Sequence, residues 1–204
     1  MENVLKDIEN LELELKENEQ QNDTKKIIEN LYSLITKYAK INKPDKTIEY
    51  GLLLLPYIDQ GNILTENTKV AKLYQTIGQS YTLTGKYNEA IEFSLKSKEI
   101  YSELKDDFNI ALSLRTIGSA YQSLGNFEKS LENLFVASEI FENKKDLLNK
   151  PEYQREKRVF CSVFETIGII YGKLTQVEKA EQYFNKAINI YKGVQYKKVI
   201  STMF

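Results

Sequence analysis

The chain has no histidine, no tryptophan and a single cysteine, Cys161, among its 204 residues. Without an imidazole there is no Ser-His-Asp triad and no histidine metal ligand, and one thiol can neither close an internal disulfide nor build a cysteine-based metal site. A lone thiol is compatible with a reducing compartment. Proline and glycine are also scarce, at three and nine, which leaves little room for turn-rich sheet or disordered linker. Neither sign of charge dominates, with 28 Lys and Arg against 29 Asp and Glu. That balance lacks the basic footprint that phosphate neutralisation needs, so no nucleic-acid partner is expected. No apolar run approaches the ~18 residues of a membrane span, and the opening MENVLKDIENLELELKEN has neither the basic nor the apolar region of a secretory signal. The expected setting is the cytoplasm, with no membrane contact, no metal and no cofactor.

What the sequence does have is repetition. Residues 76–101 read TIGQSYTLTGKYNEAIEFSLKSKEIY, residues 116–141 read TIGSAYQSLGNFEKSLENLFVASEIF, and residues 166–191 read TIGIIYGKLTQVEKAEQYFNKAINIY. The spacing is 40 residues from Gly78 to Gly118 and 50 from Gly118 to Gly168. A constant unit with a variable connector is the signature of stacked supersecondary units joined by surface loops.

Within the unit over 71–104, Ile77, Tyr81 and Thr84 fall at i, i+4 and i+7, the stripe that an amphipathic helix buries. Gly85 suits the left-handed conformation that ends such a helix, and Lys86-Tyr87-Asn88 makes the turn. Ala90, Ile91, Leu95, Ile100 and Tyr101 then supply the expected buried face of a second helix. Gly78 and Ala90 are small where their neighbours are large, which lets two helix backbones approach. One unit is therefore a helical hairpin.

These residues resemble the tetratricopeptide repeat. The pattern of Leu-Gly, a Tyr three later, a Gly-x-Tyr turn and small residues in the second helix is met by Ile77-Gly78, Tyr81, Gly85-Lys86-Tyr87 and Ala90. It is met again by Ile117-Gly118, Tyr121, Gly125-Asn126-Phe127, Ser130 and Ala137, and by Ile167-Gly168, Tyr171, Ala180, Phe184 and Ala187. The last unit departs at its turn, where Thr175-Gln176-Val177 stands. A degenerate earlier copy appears when Tyr38 is set on Tyr81, which places Asn42 on Gly85, Pro44 on Tyr87, Thr47 on Ala90 and Ile48 on Ile91. The resemblance implies an all-α, right-handed superhelical array of antiparallel helical hairpins. Four hairpins are expected within 23–194, at about 30–59, 71–104, 111–143 and 159–194. The proline that usually ends the second helix is replaced by Ser102, Glu142 and Lys192, so longer helices are expected to fill the 40-residue period.

At the N-terminus, residues 1–22 form an expected amphipathic helix and linker: Val4, Ile8, Leu11 and Leu15 recur at 4, 3 and 4 before the polar stretch NEQQNDT. One reading caps the first repeat with this helix; the other makes residues 3–17 a dimerising coiled coil. At the C-terminus, residues 195–204 read as the start of a further helix, since the chain stops two residues before the next Thr-Ile-Gly would begin. That suggests a segment of a longer protein with an adjacent effector domain.

In proteins resembling this one, the first helices line a concave groove. Carried over position by position, the groove residues are Glu29, Tyr32 and Thr36; Lys72, Gln75, Gln79 and Thr82; Arg115, Ser119 and Gln122; and Ser162, Glu165 and Lys173. Amides and hydroxyls suit the backbone of an extended peptide, and Arg115 suits a carboxylate. The Lys and Asn pattern of the family's chaperone-tail clamp is absent at Tyr32, Thr36, Gln75, Gln79 and Thr116, so that role is not expected. Asp106-Asp107 and Lys144-Lys145-Asp146 read as capping and solvated charge. The connector 143–159 reads as a solvated loop or an accessory contact loop. The leading expectation is a peptide- or protein-binding module, as in sensor regions of bacterial signalling proteins. A scaffold or dimerisation domain is the second. An enzyme is not expected, because the glutamine that a Rap-like phosphatase regulator would need has only Gln20 and Gln21 as candidates, without a partner group.

Overall fold

The computed structural model describes residues 2–59, 67–144 and 153–190. The expected helix start at 195–204, the hairpin end at 191–194 and the middle of the connector with Pro151 lie outside the described residues. Among the described residues there are nine helices and no strand: α1 (Glu2–Gln20), α2 (Thr24–Lys40), α3 (Pro44–Asp59), α4 (Asn67–Leu83), α5 (Tyr87–Glu103), α6 (Asp107–Ser123), α7 (Phe127–Glu142), α8 (Gln154–Lys173) and α9 (Val177–Ile190). They fall into two compact units, Met1–Lys105 with α1 to α5 and Asp106–Phe204 with α6 to α9.

The repeat unit is a hairpin because each turn is built the same way. The residue two past the first helix takes a left-handed conformation: Asn42 at φ 55°, Gly85 at 76°, Gly125 at 77° and Thr175 at 58°. The chain turns back at once, and the next helix starts within three residues. Thr175 shows that the turn survives without glycine. Helices α4 and α5 are both 17 residues long, and with three-residue joints they account for the 40-residue period.

Packing follows the small residues. A Cβ placed on Gly78 would lie 2.6 Å from Ser94 Oγ and 3.2 Å from the Ala90 carbonyl oxygen, so α4 and α5 touch where the sequence is smallest. Ile77, Ala90 and Tyr101 are buried, with Phe93, Ser94 and Ser97. The expected core residue Leu95 is instead 44% exposed. Its aligned positions carry Phe135, 37% exposed, and the exposed Asn185, so this position points outward in every repeat.

In the first unit α2 pairs with α3 and α4 with α5, while α3 and α2 also contact α4. In the second unit α6 pairs with α7 and α8 with α9, while α7 and α6 contact α8. The core of that unit runs through Leu134, Ala137, Phe141, Phe164, Ile167 and Ala187. Asp106 caps α6 by accepting from the Asn109 backbone N–H at 3.1 Å, which is the capping role expected of it.

Helix α1 folds back on α2, burying Ile8 and Leu15 within the chain. The helix runs on to Gln20, into the stretch expected to be a polar break, because Asn18 is drawn inward. Its Nδ2 donates to Asn30 Oδ1 at 2.6 Å, and Asn30 Nδ2 donates to Glu14 Oε2 at 3.1 Å. Glu12 Oε1 accepts from both Tyr38 Oη at 2.7 Å and Tyr50 Oη at 2.6 Å, and the two rings stack with centroids 5.5 Å apart. Gln20 ends α1 and Gln21 lies in the turn that follows.

Candidate functional site

Each unit carries its own first-helix surface. In the first unit Tyr32 and Thr36 border a groove of about 410 Å³ between α1 and α2, with Val4, Ser33, Lys37 and Lys40 completing the lining. The Thr36 hydroxyl donates to the Tyr32 carbonyl at 2.9 Å and the Ser33 hydroxyl to the Glu29 carbonyl at 2.8 Å. Glu29 is exposed on the same helix, and so is Lys72 on α4. Gln79 borders a second, small recess of about 70 Å³ with Thr76, Ser80, Asn42 and Lys43. Thr82 gives its hydrogen to the Gly78 carbonyl at 3.1 Å.

Gln75 departs from expectation. It is 5% exposed, packed inside rather than facing a ligand. Thr116 is likewise buried, at 3%. A first helix in a stack touches its own partner and its neighbours in the unit, so residues one turn from the main stripe are also covered.

In the second unit Arg115, Ser119 and Gln122 lie on α6, partly buried, and Ser162 and Glu165 lie on α8 with similar burial. The Ser162 hydroxyl donates to the Val159 carbonyl at 2.8 Å. Lys173 ends α8 exposed, its Nζ 5.7 Å from the ring centroid of Phe127, which opens α7 of the preceding hairpin. Arg115 is the unusual member. The residue retains some exposure, yet its Nε is sealed from water and has no hydrogen-bond partner among the described residues. Burial pushes its guanidinium below the ordinary arginine value. A guanidinium remains protonated under such burial, so Arg115 keeps its charge while one of its donors, Nε, goes without a hydrogen bond among the described residues, which costs free energy.

Sequence patterning alone did not find Glu12, Tyr38, Tyr50, Asn18 and Asn30, the polar set that fixes α1. Their partners are 12 to 38 residues apart, beyond any helical period.

Hairpins of this form, stacked first helix on first helix inside each unit, define an all-α helical repeat protein. The chain belongs to the tetratricopeptide repeat family: one family model matches residues 69–143 and a second matches 162–193, together more than half of the chain. A search of curated proteins returned no significant match. Among solved structures the chain is similar to RapI in its apo form, with a TM-score of 0.75 at 19% identity over 99% of this chain. It spans 53% of RapI, about half of that protein. It is also similar to MamA, with a TM-score of 0.62 at 19% identity, covering 89% of this chain and 86% of that one. The nearly identical TPR-like repeats of a Podosopora anserina kinesin light chain give 0.68 at 14% identity, covering 95% and 89%. These likenesses are to the fold. Among the described residues no helix is long and apolar enough to cross a membrane.

Proposed function

We propose that the chain is a binding module that takes a peptide or protein segment on its first-helix faces, and that Arg115 anchors a carboxylate of that segment. The observation that carries this reading is that Arg115, a cation on a first-helix face, stays partly exposed and has a donor, Nε, with no hydrogen-bond partner among the described residues. Ser119 and Gln122 stand one and two turns further along the same helix and supply hydroxyl and amide groups for the backbone beside it. Gln79, Thr82, Tyr32, Thr36 and Lys72 play the corresponding part in the first unit, and Ser162, Glu165 and Lys173 in the second. The wider setting we assign is the sensor or interaction region of a larger cytosolic bacterial signalling protein with an adjacent effector domain. Its support is the fold likeness to RapI, whose structure is described as an apo form.

The experiment is affinity capture followed by calorimetry with the captured segment. Arg115→Ala removes a charge-assisted contact worth ~1.5 to 3 kcal/mol. Lys129→Ala, on the exposed side of α7, leaves affinity unchanged. Equal affinity for Arg115→Ala and the parent chain, with Lys129→Ala weakened, overturns the reading.

A further inference from the structure

Among the described residues, the lining of the groove between α1 and α2 holds cationic side chains and no carboxylate: Lys37 and Lys40 stand beside Tyr32, Ser33, Thr36 and Val4. Its volume of about 410 Å³ is at the small end of ligand-sized clefts, enough for a few side chains of an extended segment and too small for a globular surface. The donors available there are restricted by local bonding. The Ser33 and Thr36 hydroxyls spend their hydrogens on the carbonyls of Glu29 and Tyr32, so toward a ligand they act as acceptors. The ammonium groups of Lys37 and Lys40 therefore select the charge of what enters.

Helix α1 already offers such a group. Asp7 Oδ2 lies 2.7 Å from Lys37 Nζ, and this pair remains well exposed, with 56% of the Asp7 side chain in solvent. An exposed pair of this kind contributes at most about 1 kcal/mol, so a ligand carboxylate can displace it at small cost.

We infer that this groove binds the acidic side chains of an extended peptide segment, and that Asp7 is an internal stand-in that competes for Lys37. The inference rests on the binding-module reading and adds a ligand class and a competitor to it. Peptide N–H groups pair with the Ser33 and Thr36 oxygens, the apolar stem of a glutamate lies on Val4, and its carboxylate reaches Lys37 or Lys40. The site belongs wholly to the first unit and does not involve Arg115.

The test uses the full chain and a fluorescein-labelled glutamate-rich hexapeptide, with a glutamine-for-glutamate peptide as control, read by fluorescence anisotropy. The acidic probe should bind and the control should not. Replacing both lysines in K37Q/K40Q should weaken binding about tenfold or more. Asp7→Asn should tighten it several-fold by freeing Lys37. Asp45→Asn makes the same change in net charge on the exposed first turn of α3 and should do nothing. Circular dichroism reports whether each variant is folded, and Asp7→Asn keeps the test decisive if the double variant unfolds. Failure of the acidic probe to bind up to millimolar concentration overturns the inference. So does unchanged affinity in K37Q/K40Q, or equal tightening by Asp45→Asn and Asp7→Asn. An Arg115-dependent partner that ignores both lysines sinks this inference alone, and a lysine-dependent probe with an Arg115-independent partner sinks the second-unit site alone.

Discussion

Ser130 Oγ donates a 2.6 Å hydrogen bond to the Gly118 carbonyl, tying the start of α7 to α6. The approach is possible because position 118 has no side chain: a Cβ there would lie 2.6 Å from Leu134 Cγ and 3.3 Å from the Ser130 carbonyl oxygen. Gly118→Ala therefore has to displace Leu134 or part the helices. The expected cost is about 1 to 3 kcal/mol, with Gly118→Leu costing more. Gly172 in α8 is the matched control, since a Cβ there meets nothing within 4 Å. Gly172→Ala should stabilise the chain by about 0.5 to 1 kcal/mol. Urea unfolding of both variants checks the pair, and the same sign of change in each would contradict the packing described.

The turn of the last hairpin carries removable strain. Thr175 sits at φ 58°, a conformation that a β-branched residue rarely adopts, where two other hairpins use glycine. Thr175→Gly should raise stability by up to about 1 kcal/mol, the relief of strain exceeding the added chain entropy. Gly125→Ala, at φ 77° with open space around it, should lose a similar amount. Thermal melts of the two variants test this, and a loss in Thr175→Gly would show that its side chain matters more than its backbone.

The attachment of α1 should depend on pH at both ends of the scale. For Glu12, burial opposes ionisation, but the hydrogen bonds from Tyr38 and Tyr50 and the charge of Lys46 outweigh it and lower the pKa below 4.5. A carboxylate lowered in the folded state contributes stability that is present above its ordinary value and lost as pH falls through the folded one. Tyr38 and Tyr50 are raised above 10.0, first by burial and then by their bonds to the Glu12 carboxylate. Their contribution is full below their ordinary value and is lost as pH rises through the folded one. The melting-temperature gap between the parent and a Tyr38→Phe/Tyr50→Phe variant should thus be widest from about pH 5 to pH 9 and close on either side. A gap independent of pH would remove Glu12 from the account.

The hairpins were legible because their determinants are local and repeated. Gly78, Gly118 and Gly168 mark the close approach, while Gly85, Gly125 and Asn42 mark the turn, each at a fixed distance from an aromatic. Leu95 was misread as core from one copy, although Phe135 and Asn185 at the aligned positions already showed no consistent apolar demand there. Gln75 was misread for a different reason. Its burial is imposed by the stacking of hairpins, and its amide character looks the same in sequence whether it faces a neighbouring helix or a ligand. The bonds that hold α1 join residues with no shared period, so they became visible only in three dimensions.

Arg115 offers a measurement in which folding and binding should move in opposite directions. A structural arginine is held by acceptors, and its loss destabilises the fold. Arg115 instead has a sealed Nε with no partner among the described residues, and burial is the cause of its lowered pKa. Arg115→Met keeps an unbranched apolar stem and removes a partly buried cation whose Nε has no partner among the described residues, so folding stability should hold or rise. The same change removes the group proposed to meet the ligand carboxylate, with an expected loss of affinity of about tenfold to a hundredfold. Urea unfolding and calorimetry on one preparation of Arg115→Met would give both numbers. A variant that unfolds more easily, yet binds as well as the parent, would make Arg115 a structural residue and leave the second unit without its anchor.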